Sequence, residues 1–152
     1  MVSPAVVVKK VTAPEDLEKV FGIRRIVFVE EQQCPVALEY EHEEDAIHFL
    51  ATCDGIPAGA ARWRSTEKGY KLERFAVLQE FRGRGVGRAL VMAVLADLPE
   101  GAQPVYLHAQ LSASDFYERL GFIREGGIFE EAGILHTRMT LLNKGSFTSG
   151  GF

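Results

Sequence analysis

A loop rich in glycine and arginine separates an apolar, strand-like segment from a second apolar segment with helical spacing. Glycines occupy positions 83, 85 and 87, and arginines occupy positions 82, 84 and 88. Because glycines carry no side chain, the backbone N–H groups of such a loop can converge on an anion. The helix predicted after the loop adds unpaired N–H donors and the positive end of its dipole. This pattern predicts a binding site for a phosphate or a pyrophosphate.

Two common nucleotide-binding loops do not fit this segment. A Walker loop continues from its glycines into Gly-Lys-Ser/Thr, whereas this chain has Val86-Gly87-Arg88. A dinucleotide-binding loop has the spacing Gly-x-Gly-x-x-Gly and an acidic residue at the end of its second strand. Here the spacing is Gly-x-Gly-x-Gly, and the next predicted strand, 105–109, ends without an acid. The sequence therefore disfavours nucleoside triphosphates and dinucleotides as ligands.

Composition narrows the remaining functional classes. The chain has 152 residues, of which 47% are hydrophobic and 25% are charged, values typical of one globular domain. Its net charge of −4 argues against nucleic-acid binding, which needs a broadly basic face. No apolar run is long enough for a membrane span and no secretion signal is evident, so we expect a cytoplasmic protein. The spacing of Cys34 and Cys53 matches no zinc site, and no metal is expected.

Alternating strands and helices must position the loop. A polar, acidic stretch at 30–45 has no periodicity and is expected to be a long functional loop. We expect one domain over residues 1–144 and a flexible tail over 145–152, which is rich in glycine and serine. The patterns predict strands at 6–11, 48–53, 58–65, 70–77, 104–109, 122–129 and 133–142, and helices at 14–29, 85–98 and 112–120.

This order of elements, together with two motifs, resembles the GCN5-related N-acetyltransferase (GNAT) family. The family's pyrophosphate loop, Arg/Gln-x-x-Gly-x-Gly/Ala, is matched in full at residues 82–87. A second motif, Asn-x-x-Ala-x-x-Phe-Tyr-x-x-x-Gly-Phe, is matched at residues 110–122, except that Gln110 replaces the usual asparagine. Segments 23–32, 61–64 and 133–136 further resemble the ElaA-type branch of the family.

The resemblance implies an α/β (α+β) GNAT fold, with a mixed, mostly antiparallel, twisted sheet of six to seven strands flanked by helices. Strands 70–77 and 105–109 would splay apart to admit the pantetheine arm of acetyl-CoA. The implied activity is transfer of the acetyl group of acetyl-CoA to a primary amine by direct attack in a ternary complex. The residues implied to contact acetyl-CoA are Phe75, Ala76, Val77, Arg82, Gly83, Arg84, Gly85, Val86, Gly87, Arg88, Gln110, Ser112, Phe116 and Tyr117.

Two side chains are candidates for proton transfer. Tyr117 occupies the motif position for a general acid, and an ordinary phenol stays protonated at neutral pH because its pKa of about 10 lies above that of a thiol. Glu73 is a candidate base on the strand beside the acetyl group, on the face of Phe75 if strand alternation holds. Further candidates for the acceptor side are Glu30, His48, His108 and His136.

Two other functions remain open from sequence. A catalytically silent module that binds or senses acyl-CoA would keep the loop without needing an acid. Acetylation of lysine in proteins or peptides would use the same cofactor, and the acidic stretch could attract either a lysine side chain or a small cationic amine. A sheet edge is compatible with a homodimer, although the sequence indicates no interface.

Overall fold

A computed structural model describes residues 5–34 and 45–141 and confirms the mixed α/β fold. The sheet has seven strands, in the order β1-β2-β3-β4-β5-β7-β6. The strands are β1 Val6–Val11, β2 Ile47–Cys53, β3 Ile56–Thr66, β4 Gly69–Val77, β5 Val105–Gln110, β6 Ile123–Glu131 and β7 Ile134–Leu141. The helices are α1 Pro14–Arg24, α2 Val86–Asp97 and α3 Ser114–Arg119.

The described residues group into two compact units. The first unit contains the residues up to Trp63 together with Arg74–Asp97, and the second contains Arg64–Glu73 and the residues from Leu98 onward. The acidic residues 35–44 and the tail predicted from residue 145 lie outside the described residues. Among the residues described, no helix is both long enough and apolar enough to cross a membrane.

The first unit packs both long helices against an antiparallel meander. Strand β1 pairs with β2 from Val6↔Cys53 to Val11↔His48, and β2 pairs with β3. The turn between β2 and β3 uses Asp54 and Gly55 with positive φ values of 52° and 83°, as the right-handed twist of a two-residue hairpin requires. Helix α2 buries one apolar stripe that includes Val86, Leu90 and Val94.

Helix α1 ends earlier than its sequence pattern predicts. The pattern predicts a helix over 14–29, but the α-helix stops at Arg24 and continues as a π-helical turn over Arg25–Glu31. The N–H of Gln32 accordingly donates to the carbonyl of Val27, five residues earlier. The β-branched residues Ile26, Val27 and Val29 are stiff at χ1 and weaken an ordinary α-turn. Such π-turns are frequent at functional sites.

The second unit combines one parallel and two antiparallel strand pairs. Strand β4 runs parallel to β5 from Tyr70↔Val105 to Leu72↔Leu107. Within this unit the residue pairing of the two strands ends at Leu72↔Leu107, although β4 continues with Glu73 and β5 continues to Gln110. Strand β7 pairs with β5 on one side and with β6 on the other. The register therefore places His108, Gln110 and His136 on one sheet face.

Candidate active site

The glycine loop, residues 82–88, joins a short 3₁₀ turn, Gln79–Phe81, to the start of α2. Gly83 and Gly85 take left-handed φ values of 79° and 82°, a region that glycine enters without steric cost. A Cβ atom at either position would meet no other atom within 4 Å, so the space beside the loop is open. The first turn of α2 begins with the N–H of Ala89 donating to the carbonyl of Gly85. The first N–H groups of a helix have no partner within the helix, so the start of α2 can supply donors to an anion.

Arg82 ties the loop to its surroundings. Its Nε donates to the carbonyl of Val77 at 2.9 Å, and its Nη2 lies 3.1 and 3.0 Å from the two carboxylate oxygens of Glu31. Arg84 lies over the ring of Phe81, with 5.7 Å from Cζ to the ring centroid. Arg82 therefore fixes the loop to the end of β4 and to the π-helical turn, while direct phosphate contact by Arg82, Arg84 and Arg88 stays a prediction.

Close packing against Gly59 fixes the first turn of α2. A Cβ atom at Gly59 of β3 would lie 2.9 Å from Cγ1 of Val86 and 3.0 Å from Cδ1 of Leu90. It would also lie 3.0 Å from the carbonyl oxygen of Ala76. Val86 and Leu90 are fully buried. Only glycine at position 59 lets the helix that follows the glycine loop pack this close to the sheet.

Strand β4 is irregular where the resemblance places the acetyl group. Arg74 takes a φ of 59°, in the left-handed region that costs a non-glycine residue roughly 1–2 kcal/mol. Strict strand alternation therefore does not carry through Arg74, and it cannot be used to place Glu73 and Phe75 on one face. Strained backbone of this kind concentrates at functional sites. It precedes Phe75, Ala76 and Val77, whose backbone N–H groups are the predicted contacts of the acetyl carbonyl and the pantetheine arm.

The second motif forms a tight turn and a short helix in the second unit. A 3₁₀ turn, Leu111–Ala113, leads into α3, and Gly121 ends the segment with a φ of 99°. Tyr117 is buried against Phe116 and Phe122, with ring centroids 5.0 and 6.0 Å away. This burial raises the pKa of Tyr117 well above its ordinary value of 10. The phenol therefore stays protonated at neutral pH, as its predicted role as an acid requires.

Glu73 lies between two cations. Its Oε1 is 3.1 Å from Nε of Arg64 and 3.5 Å from Nζ of Lys71, and its side chain is almost fully buried. Accepting a proton would neutralise the carboxylate and abolish both ion pairs. The structure thus gives Glu73 a strong electrostatic role in this unit, and its role as the catalytic base stays a prediction.

The two histidines predicted for the acceptor side in the second unit lie around one carboxylate. Nδ1 of His108 is 3.2 Å from Oε1 of Glu131, and Nε2 of His136 is 3.7 Å from Oε2 of the same residue. Phe129 contacts both rings, edge-on to His108 and stacked on His136. Sequence reasoning missed Glu131. The Ala132-Gly133 hairpin turn, with both φ values positive, could have placed it at the end of its strand.

The other predicted residues have these positions. His48 is buried in the first unit, opposite Arg62 in the β2–β3 register and edge-on to the ring of Phe21 at 5.8 Å. Glu30 is exposed on the π-helical turn. In the second unit, Gln110 pairs with His136 across β5 and β7, and Ser112 is exposed. Within residues 5–34 and 45–141, no three His, Cys, Asp or Glu side chains are grouped to hold a metal ion.

A family model described as an acetyltransferase (GNAT) domain matches residues 14–143. The chain belongs to the GNAT family. Among curated relatives, "Putative acetyltransferase BSU40680" of Bacillus subtilis (strain 168) is 39% identical over 138 residues, covering 88% of this chain and 94% of that protein. "Uncharacterized N-acetyltransferase YjcF" of the same organism is 37% identical over 128 residues, covering 82% of this chain and 91% of YjcF.

Solved GNAT structures share the fold. An acyl-CoA N-acyltransferase from Pseudomonas aeruginosa superposes with a TM-score of 0.77 at 28% identity, covering 91% of this chain and 99% of that one. Escherichia coli ElaA gives a TM-score of 0.73 at 24% identity, covering 89% and 99%. These findings confirm the GNAT prediction and show that the chain is an acyltransferase that uses acyl-CoA.

Proposed function

We propose that this GNAT protein transfers the acetyl group of acetyl-CoA to a primary amine by direct attack in a ternary complex. The observation that carries the proposal is the glycine loop, whose left-handed Gly83 and Gly85 have open space beside them at the start of α2. Donors and dipole together favour a pyrophosphate. Acetyl-CoA contains that group, and the GNAT fold binds it.

Each predicted residue then has a chemical task. Backbone N–H groups of Phe75, Ala76 and Val77 would stabilise the oxyanion that develops on the acetyl carbonyl. Tyr117 would donate its hydrogen to the departing sulfur. Because burial raises the pKa of Tyr117 still further above that of a thiol, this donation is a hydrogen bond that stabilises the negative charge on the departing sulfur, and Tyr117 keeps its proton.

Thermal stabilisation by acetyl-CoA tests whether the protein binds this cofactor through the glycine loop. Acetyl-CoA at a concentration of 100 Kd should stabilise the fold by about 2.7 kcal/mol, which corresponds to a rise in Tm of roughly 5–10 °C for a chain of this size. Gly85→Glu places a side chain and a negative charge among the donors and should abolish this rise. Gly55→Glu is the matched control, because Gly55 has nearly the same φ (83° against 82°) and is equally open, so the backbone strain is similar.

Turnover with different amines tests whether the protein transfers the acetyl group to an amine. Release of free thiol from acetyl-CoA is followed with spermidine, glucosamine, phenethylamine and a lysine-containing peptide as acceptors. Release that depends on one of these amines supports the proposal, and the preferred acceptor separates small-molecule from peptide acetylation. Thermal stabilisation without thiol release from any acceptor would instead indicate a module that only binds acyl-CoA.

A further inference from the structure

We propose that His108 and Glu131 form a general-base dyad, in which Nε2 of His108 takes the proton that the acceptor ammonium must lose. The inference rests on the proposed amine acetylation and adds the base. In the second unit the two residues come from β5 and from the end of β6, and a hydrogen bond of 3.2 Å joins them.

The carboxylate determines which nitrogen of His108 carries the proton. An ionised carboxylate can only accept hydrogen bonds, so Nδ1 of His108 must donate to Oε1 of Glu131. The neutral imidazole then has a lone pair on Nε2. Among the residues that the structure describes, Nε2 has no hydrogen-bond partner, and a quarter of the side chain is exposed. A basic nitrogen in fixed orientation is thereby left open to a substrate.

The surroundings keep Glu131 ionised. Its hydrogen bond with His108 lowers the pKa of Glu131 most strongly, and the charges of His108, Lys71 and His136 lower it further against the opposing effect of partial burial. Arg138 also lies on this face, opposite His108 in the β5–β7 register and 4.4 Å over the ring of Tyr106, with its Nε 3.5 Å from Oε1 of Glu125. Glu73, the other carboxylate here, is held by Arg64 and Lys71. The surroundings thus favour the ionised carboxylate that orients the Nδ1–H of His108.

The other two candidates on this face are poorer bases. Nδ1 of His136 donates to the carbonyl of Ile134 at 2.7 Å, its Nε2 faces Glu131, and the side chain is buried. Glu73 is held by Arg64 and Lys71. A histidine that only stabilises the fold resembles His136, which is buried and bonded to the backbone through Nδ1. His108 differs because one nitrogen is oriented and the other is open.

Aromatic rings hold the imidazole of His108 in place. The ring of Phe129 packs edge-on at 5.0 Å between centroids, and that of Tyr106 lies at 5.9 Å. With the ring held by these two contacts, Nε2 would meet each substrate in the same orientation, and general-base catalysis depends on such positioning.

In the proposed step, the acceptor ammonium loses one proton before the amine attacks. The acceptor R–NH₃⁺ gives one proton to Nε2 of His108, and the resulting R–NH₂ attacks the thioester carbonyl. The C–N bond forms and the C–S bond breaks. The second proton lost by nitrogen ends on the sulfur of coenzyme A, and His108 returns its proton to solvent. No oxidant, reductant or metal is required.

Variants at the two positions test the dyad by rate and by pH dependence. With the best amine from the panel, His108→Gln should lower kcat by roughly 10²–10⁴-fold, the usual contribution of a general base, and should remove the acidic limb of the pH–rate profile. Glu131→Gln should lower kcat by about tenfold or more, because the imidazole loses the carboxylate that orients it. Glu130→Gln, an exposed neighbour on the same strand, is the matched control and should leave both unchanged. Added imidazole should partly restore turnover to His108→Ala, which a purely structural histidine would not allow.

Nitrogen NMR of the histidine rings gives a readout that needs no substrate. In the neutral state Nδ1 of His108 should carry the proton and Nε2 should have a pyridine-like shift, and Glu131→Gln should release this preference. A proton on Nε2 in the wild type would overturn the dyad. The dyad would also be overturned if the wild type is active and the His108→Gln variant keeps the same rate and pH profile. That result would leave the proposed acetylation intact. A wild type that acetylates none of the amines would refute the acetylation itself, and the dyad with it.

Discussion

Replacing Gly59 by alanine should loosen the helix that follows the glycine loop. The added methyl group would lie 2.9–3.0 Å from Val86, Leu90 and the carbonyl oxygen of Ala76, closer than carbon atoms normally approach. Both side chains are fully buried, with exposures of 1% and 0%, so neither can move without displacing the core around it. The helix or the strand must therefore shift.

The expected loss of stability of Gly59→Ala is that of overpacking a core. Inserting one methyl group into a well-packed core typically costs 1–3 kcal/mol. For a chain of this length, each kcal/mol lowers Tm by about 2–4 °C, which gives an expected loss of roughly 2–12 °C for Gly59→Ala. Because the displaced turn begins at Val86, directly after Gly85, the Kd for acetyl-CoA should rise as well.

Gly22→Ala is the matched control for this change. Gly22 lies in α1, is exposed, and has no atom within 4 Å of a built Cβ. The same substitution there should stabilise the fold by roughly 0.5–1 kcal/mol, because alanine is the better helix former. Urea unfolding of both variants, together with calorimetric titration of acetyl-CoA, makes the comparison. A Gly59→Ala variant as stable as the wild type, with unchanged affinity, would refute the argument that close packing at Gly59 sets the position of the helix.

Three further predictions concern Tyr117 and Glu31. Tyr117→Phe should lower kcat while changing the Kd for acetyl-CoA little, as steady-state kinetics and titration would show; an unchanged kcat would remove Tyr117 from the mechanism. Since the folded chain raises the pKa of Tyr117, the phenol stays protonated where unfolded tyrosine ionises, and stability should fall as pH rises above about 10. Tyr117→Phe should reduce this alkaline loss in pH-dependent unfolding, and an identical loss in both proteins would contradict the assignment. Glu31→Gln should cost less than about 1 kcal/mol, and less still at high salt, because its pair with Arg82 is largely exposed; a large, salt-independent loss in urea unfolding would contradict this.

Local patterns were sufficient to predict most elements. The β-branched run at 6–11 is a strand with those bounds, and the helix predicted over 85–98 spans Val86–Asp97. The Asp54-Gly55 turn joins two strands as predicted, since its φ values suit these residue types. The π-helical turn was missed, because the apolar spacing at 25–31 resembles that of an ordinary helix and the hydrogen-bond shift leaves no simple periodic signal.

Fewer contacts of the site could be predicted from the sequence, because they join residues that lie far apart along the chain. Arg82 was predicted as a phosphate ligand from its place in the motif, yet its pairing with Glu31 joins residues 51 positions apart. The pairing of His108 with Glu131 depends on the β5–β7 and β6–β7 registers together, which a single sequence does not specify. The glycine loop could be predicted from the sequence, because the residues that create its backbone geometry are contiguous.

Product analysis with acetyl-CoA labelled in its acetyl group tests the central claim most directly. The purified protein is incubated with the labelled cofactor and the best amine of the panel, and both free coenzyme A and N-acetylated amine are quantified by mass spectrometry. We predict one labelled amide for each coenzyme A released, with Gly55→Glu matching the wild type and Gly85→Glu forming neither product. Coenzyme A release without labelled amide, or full activity of Gly85→Glu, would contradict the account.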